Sequence, residues 1–86
     1  MHYLEGVIRD SMTIQKVGVV GAGLMGSGIA QASAQSGYET ILCEINEPLL
    51  AKGVRRIYDA WDIMASKQKL THDQVEVNRS RLHGTI

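Results

Sequence analysis

A run of β-branched residues that breaks into regularly spaced glycines constrains this chain more than any other feature. The apolar run at residues 17–20 leads into a Gly-x-Gly-x-x-Gly motif, which a helix-forming segment follows. Strand, glycine turn and helix in this order are typical of a dinucleotide-binding βαβ unit. The predicted pyrophosphate site consists of Gly21, Ala22, Gly23, Leu24, Met25 and Gly26. We expect Gly21 to make the turn, Gly23 to admit the pyrophosphate and Gly26 to bring the helix close to the sheet.

An acidic residue follows at the spacing that a dinucleotide-binding unit requires. The first helix is expected to end at Gln35, with Gly37 as a left-handed cap, and a second strand is predicted over residues 39–43. Glu44 directly follows that strand and lies 18 residues after Gly26 (44 − 26 = 18). This spacing is close to the roughly 20 residues expected for the carboxylate that binds the adenosine ribose. Because a carboxylate accepts from the ribose 2′-hydroxyl and repels a 2′-phosphate, the sequence predicts NAD rather than NADP.

Two helices that form a hairpin are predicted after the second strand. Asn46 is the expected N-cap of the first helix, which would run to about Lys69. The apolar stripe of this helix consists of Leu50, Val54, Ile57, Trp61 and Met64. Spacings of three and four predict that this stripe packs into the core. Thr71 and Gln74 predict a capping box for the second helix, which would run to about Arg81.

The predicted fold class is α/β, a Rossmann-like βαβ half-domain with parallel strands followed by a long helical hairpin. Only two strands of the roughly six in a complete fold are convincing. We therefore expect residues 14–86 to be a truncated NAD-binding domain and residues 1–13 to be an N-terminal extension. No metal site is predicted, because no histidine has the spacing of metal ligands.

Charge and cysteine content exclude several partners and compartments. Nine basic and nine acidic residues give a net charge of zero, so neither nucleic acid nor a membrane surface is an expected partner. No apolar run approaches the roughly 20 residues of a membrane span. Cys43 is the single cysteine and cannot form an internal disulfide, which favours a reducing, cytoplasmic location.

Four sequence segments resemble the amino-terminal part of the 3-hydroxyacyl-CoA dehydrogenases. They are Gly-Leu-Met-Gly-Ser-Gly-Ile-Ala-Gln at 23–31, Ser-Gly-Tyr-Glu at 36–39, Cys-Glu-Ile-Asn-Glu at 43–47 and Lys-Leu-Thr at 69–71. The resemblance implies oxidation of a 3-hydroxyacyl-CoA to a 3-ketoacyl-CoA in fatty acid metabolism, with NAD as the hydride acceptor. An acyl-CoA would be the substrate of the parent family.

The resemblance also implies roles for individual residues. Residues 21–26 would bind the pyrophosphate, and Glu44, where the family commonly has Asp, would bind the ribose. Lys67 lies at one position from which the family contacts CoA, whereas Ala60 replaces a hydroxyl residue common at another. No residue matches the family's catalytic His or Glu, and His83 does not fit the catalytic His motif. We therefore predict no catalytic residue and no activity for this chain alone.

Two alternatives remain open from the sequence. Dehydrogenases of the 6-phosphogluconate type share the Gly-x-Gly-x-Met-Gly turn, although they commonly have an Arg near the end of the second strand, which is absent here. The chain could instead be a non-catalytic nucleotide-binding module that self-associates by burying an open sheet edge. Under either reading a homo-oligomer is expected, with the apolar stripe as the contact between copies.

Overall fold

The computed structural model describes residues 16–21 and 23–86, which form one parallel sheet and three helices. Its elements are β1 (Lys16–Val20), α1 (Leu24–Gln35), β2 (Glu39–Cys43), α2 (Glu47–Ser66), α3 (His72–Arg81) and β3 (Leu82–Thr85). The strand order is β1-β2-β3, and both neighbouring pairs are parallel. The predicted fold class is confirmed. The proposed extension at 1–13 and the motif residue Ala22 lie outside the described residues.

The helices of the hairpin begin at the residues that the sequence predicts. The side chain of Asn46 accepts a hydrogen bond from the Leu49 N–H at 2.9 Å at the start of α2. At the start of α3, the Thr71 side chain accepts from the Gln74 N–H at 3.1 Å, and the Gln74 side chain accepts from the Thr71 N–H at 2.8 Å. These bonds satisfy N–H groups that a helix leaves unpaired at its first turn.

Two helix ends depend on left-handed backbone. Gly37, directly after the α1 C-cap, has a φ of 106°, as the sequence predicts. α2 ends at Ser66 rather than near Lys69. The earlier end follows from Gln68, whose φ of 60° is incompatible with continued α-helix.

The three described helices cover one face of the sheet, and no described helix covers the other face. Val17, Thr40 and Leu82 are register neighbours on the three strands and are all buried. Successive strand residues point to opposite faces. The next row, on the open face, consists of Gly18, Ile41 and His83. Val20 also lies on this face, where it is 87% exposed.

The apolar stripe of α2 lies in the core. Leu50, Ile57 and Trp61 are buried, and Val54 and Met64 pack against them. The predicted core position of Trp61 is confirmed. The expectation that the stripe forms the contact between copies is wrong, because the sheet and the neighbouring helices of the same chain already cover its side chains.

Candidate dinucleotide-binding site

The carboxyl ends of β1 and β2 lie side by side, which brings the glycine turn next to Glu44. Val20 and Cys43 are register partners, and the Gly21 N–H continues the ladder by donating to the Cys43 carbonyl at 2.8 Å. The Glu44 N–H donates to the Thr85 carbonyl of β3 at 3.0 Å. Open α/β sheets bind ligands beyond the carboxyl ends of their strands. The motif and Glu44 therefore share the edge at which a nucleotide would bind.

The three motif glycines meet different structural requirements. Gly21 has a φ of 92°, a backbone conformation that residues with a side chain rarely adopt. A Cβ on Gly26 would overlap the Gly21 carbonyl oxygen and lie 3.0 Å from the carbonyl carbon. The close approach of α1 to the turn therefore requires a residue without a side chain at position 26. Gly23 has an ordinary φ of −65°, and a Cβ there would meet nothing within 4 Å. Gly23 therefore leaves open space that folding itself does not require.

The amino-terminal end of α1 faces this open space. Gly23 is the N-cap of α1 and makes no side-chain capping bond, and the first turn contains no acidic residue. A helix amino terminus directs N–H groups and the positive end of its dipole outward, which favours an anion. Leu24 and Met25 begin the helix and are 80% and 78% exposed. This arrangement suits a pyrophosphate without requiring a basic side chain.

Glu44 is half-buried beside the turn. Its Oε1 accepts a hydrogen bond from the Ile45 N–H at 2.8 Å, which orients the carboxylate at the end of β2. A carboxylate offers about four acceptor positions. The position is compatible with a ribose hydroxyl as a further donor.

One contact near the motif is not apparent from the sequence. Arg56 of α2 donates from Nη1 to the Ser27 Oγ at 3.3 Å, and Ser27 is 3% exposed near the start of α1. The bond joins α2 to the helix that carries the glycine motif. Arg56 is one of several basic residues on α2, and no periodicity distinguishes it from Lys52 or Arg55. Arg56 contacts Ser27 because of the way α2 packs against α1.

The structure separates Lys67 from the glycine turn. Glu44 lies just before α2, whereas Lys67 is the exposed C-cap at its other end. The 20 residues of α2 correspond to a length of about 30 Å. A ligand that contacts both residues would have to extend along the whole hairpin.

The part of the chain that the structure describes contains neither a metal-ligand cluster nor a membrane-spanning helix. Residues 16–21 and 23–86 contain no group of three or more His, Cys, Asp or Glu side chains arranged to bind a metal ion. Within the same ranges, no helix has the length and apolar character needed to cross a membrane.

The strand order, the glycine turn and the acidic residue at the neighbouring strand end define a dinucleotide-binding domain of the Rossmann type. Residues 16–86 match the family described as 3-hydroxyacyl-CoA dehydrogenase, NAD binding domain. The chain belongs to this family, and NAD is the cofactor of its domain. Membership in this family excludes the alternative that the chain is a dehydrogenase of the 6-phosphogluconate type.

Individual relatives and solved structures agree with this assignment. The 3-hydroxybutyryl-CoA dehydrogenase of Mycobacterium tuberculosis is 48% identical over 76 residues, which cover 88% of this chain and 25% of the relative. The glyoxysomal fatty acid beta-oxidation multifunctional protein MFP-a of Brassica napus is 40% identical over 73 residues, 85% of this chain and 10% of the relative. The chain thus spans a quarter or less of these relatives.

Crystal structures show the same fold at similar coverage. M. tuberculosis FadB2 superposes with a TM-score of 0.81 and 42% identity over 84% of this chain and 25% of that protein. The (S)-3-hydroxybutyryl-CoA dehydrogenase PaaH1 of Ralstonia eutropha has a TM-score of 0.81 and 37% identity over 85% of this chain and 26% of that protein.

Proposed function

We propose that this chain is the NAD-binding part of a 3-hydroxyacyl-CoA dehydrogenase that oxidises the 3-hydroxyl of an acyl-CoA to a ketone. The observation that carries the proposal is the hydrogen bond from the Gly21 N–H to the Cys43 carbonyl. It fixes the glycine turn beside Glu44, as one nucleotide spanning both would require. The relatives named 3-hydroxybutyryl-CoA dehydrogenase support the reaction class.

Each part of the site has a separate role in this proposal. Residues 21–26 and the amino terminus of α1 bind the pyrophosphate. Glu44 accepts hydrogen bonds from the adenosine ribose and excludes a 2′-phosphate. When bound, NAD supplies the hydride acceptor for the oxidation. Lys67, at the tip of the hairpin, contributes a positive charge to the CoA moiety of the substrate.

The chain is proposed to be catalytically inactive on its own. Removal of hydride from a secondary alcohol requires a base that takes the hydroxyl proton. None of the 86 residues matches the catalytic His or Glu motif of the family. Purified chain mixed with 3-hydroxybutyryl-CoA and NAD is expected to give no NADH absorbance. Measurable turnover would contradict this part of the proposal.

Isothermal titration calorimetry with NAD and NADP tests the binding function. We expect measurable binding of NAD and weaker or undetectable binding of NADP. Gly23→Val is expected to remove NAD binding and keep the helix content measured by circular dichroism, because its Cβ enters open space in front of α1. Gly28→Val is the matched control, since a Cβ at Gly28 also meets nothing within 4 Å and lies further along the helix.

The calorimetric outcomes separate the parts of the proposal. Equal affinity for NAD and NADP would overturn the role of Glu44 and leave the glycine turn supported. Unchanged NAD binding by Gly23→Val would show that the glycine turn is only structural. No binding by folded wild-type chain would reject the binding function for this chain.

Self-association through the open sheet face is a second part of the proposal. Val20 is 87% exposed and Ile41 is 37% exposed on a face without a helix among the described residues. Zero net charge places no long-range repulsion between copies. Sedimentation velocity is expected to show a dimer that Val20→Lys dissociates. Ile63→Lys is the control, because Ile63 is 54% exposed on α2. A wild-type monomer would contradict self-association.

A cytoplasmic location completes the proposal. The single Cys43 suits a reducing compartment. Cell fractionation with an antibody against the native chain tests it. Recovery in an organelle fraction would contradict the location without affecting nucleotide binding.

A further inference from the structure

Side-chain hydrogen bonds join α2 to both ends of α1. Near the start of α1, the Arg56 Nη1 donates to the Ser27 Oγ at 3.3 Å. At the end of α1, the Trp61 Nε1 donates to the Gln35 Oε1 at 3.0 Å. Ser27 and Gln35 are eight residues apart (35 − 27 = 8), or about 12 Å along the helix. Of these two bonds, the one to Ser27 lies at the end that carries the glycine turn.

Ser27 is connected through the backbone to the glycine that borders the open space of the site. The Ser27 N–H donates to the Gly23 carbonyl at 2.8 Å, and Gly23 is the N-cap of α1. Gly26, which directly precedes Ser27, packs against the Gly21 carbonyl. A displacement of Ser27 would therefore shift the whole first turn of α1. The N–H groups of that turn are the ones that a helix leaves available to an anion.

The bond between Arg56 and Ser27 is shielded from solvent. Ser27 is 3% exposed, and Arg56 is half-buried. A hydrogen bond from a charged donor is stronger than one between neutral groups, and low polarity around it strengthens it further. The long Arg56 side chain thus ties the first turn of α1 to the middle of α2.

The Arg56 guanidinium also brings a positive charge to the positive end of α1. The first turn of α1, which begins at Leu24, contains no acidic residue. Ser27 lies four residues after Gly23 (27 − 23 = 4), or about 6 Å along the helix. This separation is shorter than the screening length of about 10 Å in 0.1 M salt. The charge therefore favours an anion bound at the start of α1.

We propose that Arg56 is a positioning residue of the nucleotide site, an inference that rests on the NAD-binding function proposed above. Its hydrogen bond to Ser27 holds the N–H groups of the first turn of α1 where the pyrophosphate binds. Its charge attracts the pyrophosphate from behind that turn. Arg56 acts through Ser27 and does not itself touch the nucleotide.

Isothermal titration calorimetry of the 86-residue chain with NAD tests the role of Arg56. Arg56→Gln is expected to weaken NAD binding about tenfold, because it removes both the charge and the charged hydrogen bond. Arg56→Lys retains the charge and a donor, and its affinity for NAD is expected to stay within about threefold of the wild type.

Gln35→Ala is the matched control at the other end of α1. It removes the acceptor of the Trp61 bond, so it also deletes a hydrogen bond between α1 and α2. Urea denaturation is expected to show a lower free energy of unfolding for this variant, because the buried Trp61 Nε1 loses its partner. Its affinity for NAD is expected to equal that of the wild type.

A double-mutant cycle shows whether Arg56 acts through Ser27. Ser27→Ala removes the acceptor and is expected to weaken NAD binding by about threefold. The double variant of Arg56→Gln and Ser27→Ala is expected to bind NAD as Arg56→Gln does, because the two residues share one bond. If Arg56→Gln does not fold, Ser27→Ala provides the test, since alanine favours helix.

Each contrary result rejects a stated part of the inference. Wild-type NAD affinity in folded Arg56→Gln or Ser27→Ala would overturn the positioning role and leave the NAD-binding function intact. Additive losses in the double variant would overturn the action through Ser27. Binding by Arg56→Lys as weak as by Arg56→Gln would overturn the role of the charge.

Two further results separate this inference from its alternatives. An equal loss of NAD affinity in Gln35→Ala would show that any bond between α1 and α2 has the same effect, which would overturn the special position of Arg56. No NAD binding by folded wild-type chain would overturn the proposed function and the role of Arg56 together.

Discussion

The carbonyl oxygen of Gly21 occupies the position that a Cβ on Gly26 would need. The first and last glycines of the motif are thus packed against each other, and this contact sets how closely α1 approaches the end of β1. Gly23, between them, has space on its exposed side. Two glycines of the motif therefore serve folding, and the third remains available for a ligand.

Gly26→Ala is expected to destabilise the fold through this contact. The added methyl meets backbone that cannot rotate away, and overpacking of this kind costs roughly 1–3 kcal/mol. The free energy of unfolding from urea denaturation measures the loss. Gly28→Ala is the control on the same helix and is expected to stabilise by about 1 kcal/mol, since Ala favours helix over Gly. Equal stability of the two variants would contradict the packing role of Gly26.

Glu44→Gln is expected to reduce the preference for NAD over NADP. The amide keeps the size of the side chain and removes the charge that repels a 2′-phosphate. NAD binding should weaken by roughly 1.5–3 kcal/mol, the contribution of a hydrogen bond to a charged group. Calorimetry with both nucleotides measures the change. Glu47→Gln is the control, because Glu47 is an exposed acid in the first turn of α2, and it should leave the preference for NAD unaltered. An equal loss of preference in both variants would show that the overall charge, rather than the position of Glu44, determines the preference.

Local signals in the sequence predicted most of the secondary structure because each boundary has its own chemistry. β2 occurs at Glu39–Cys43 as predicted, since Gly37 ends the preceding helix and the strand contains β-branched residues. The capping box of α3 depends only on Thr71 and Gln74, three residues apart. Such signals act within a few residues and do not depend on tertiary packing.

Contacts between helices could not be predicted in the same way. The bond between Arg56 and Ser27 depends on how α2 crosses α1. The packing role of Gly84 in β3 appears only in the fold, where a Cβ would lie 3.1 Å from the Leu50 Cδ1. These features follow from long-range geometry, which periodicity does not encode.

Two isoleucines of α2 provide a test of the corrected position of the apolar stripe. Ile57 is fully buried, whereas Ile63 is 54% exposed. Ile57→Ala is expected to lower the free energy of unfolding by roughly 2–5 kcal/mol, while Ile63→Ala should change it by less than about 0.5 kcal/mol. Urea denaturation measures both. A large loss in the free energy of unfolding for Ile63→Ala alone would indicate that the exposed side of α2 forms an interface between copies.

Asn78→Leu is expected to raise the stability of the fold. Leucine has a similar size, and it removes a buried Nδ2 that has no partner among the described residues, so the free energy of unfolding should rise by about 1 kcal/mol. The same substitution at Asn46 is the control with the opposite sign. The Asn46 side chain caps α2 by accepting from Leu49, and its loss should cost about 1 kcal/mol.

Urea denaturation of the Asn78→Leu and Asn46→Leu variants shows whether each asparagine side chain stabilises the fold. A stabilised Asn78→Leu variant and a destabilised Asn46→Leu variant are expected, because the first removes a buried unpaired donor and the second removes a helix cap. An Asn78→Leu variant less stable than wild type would show that the Asn78 amide already contributes to the fold.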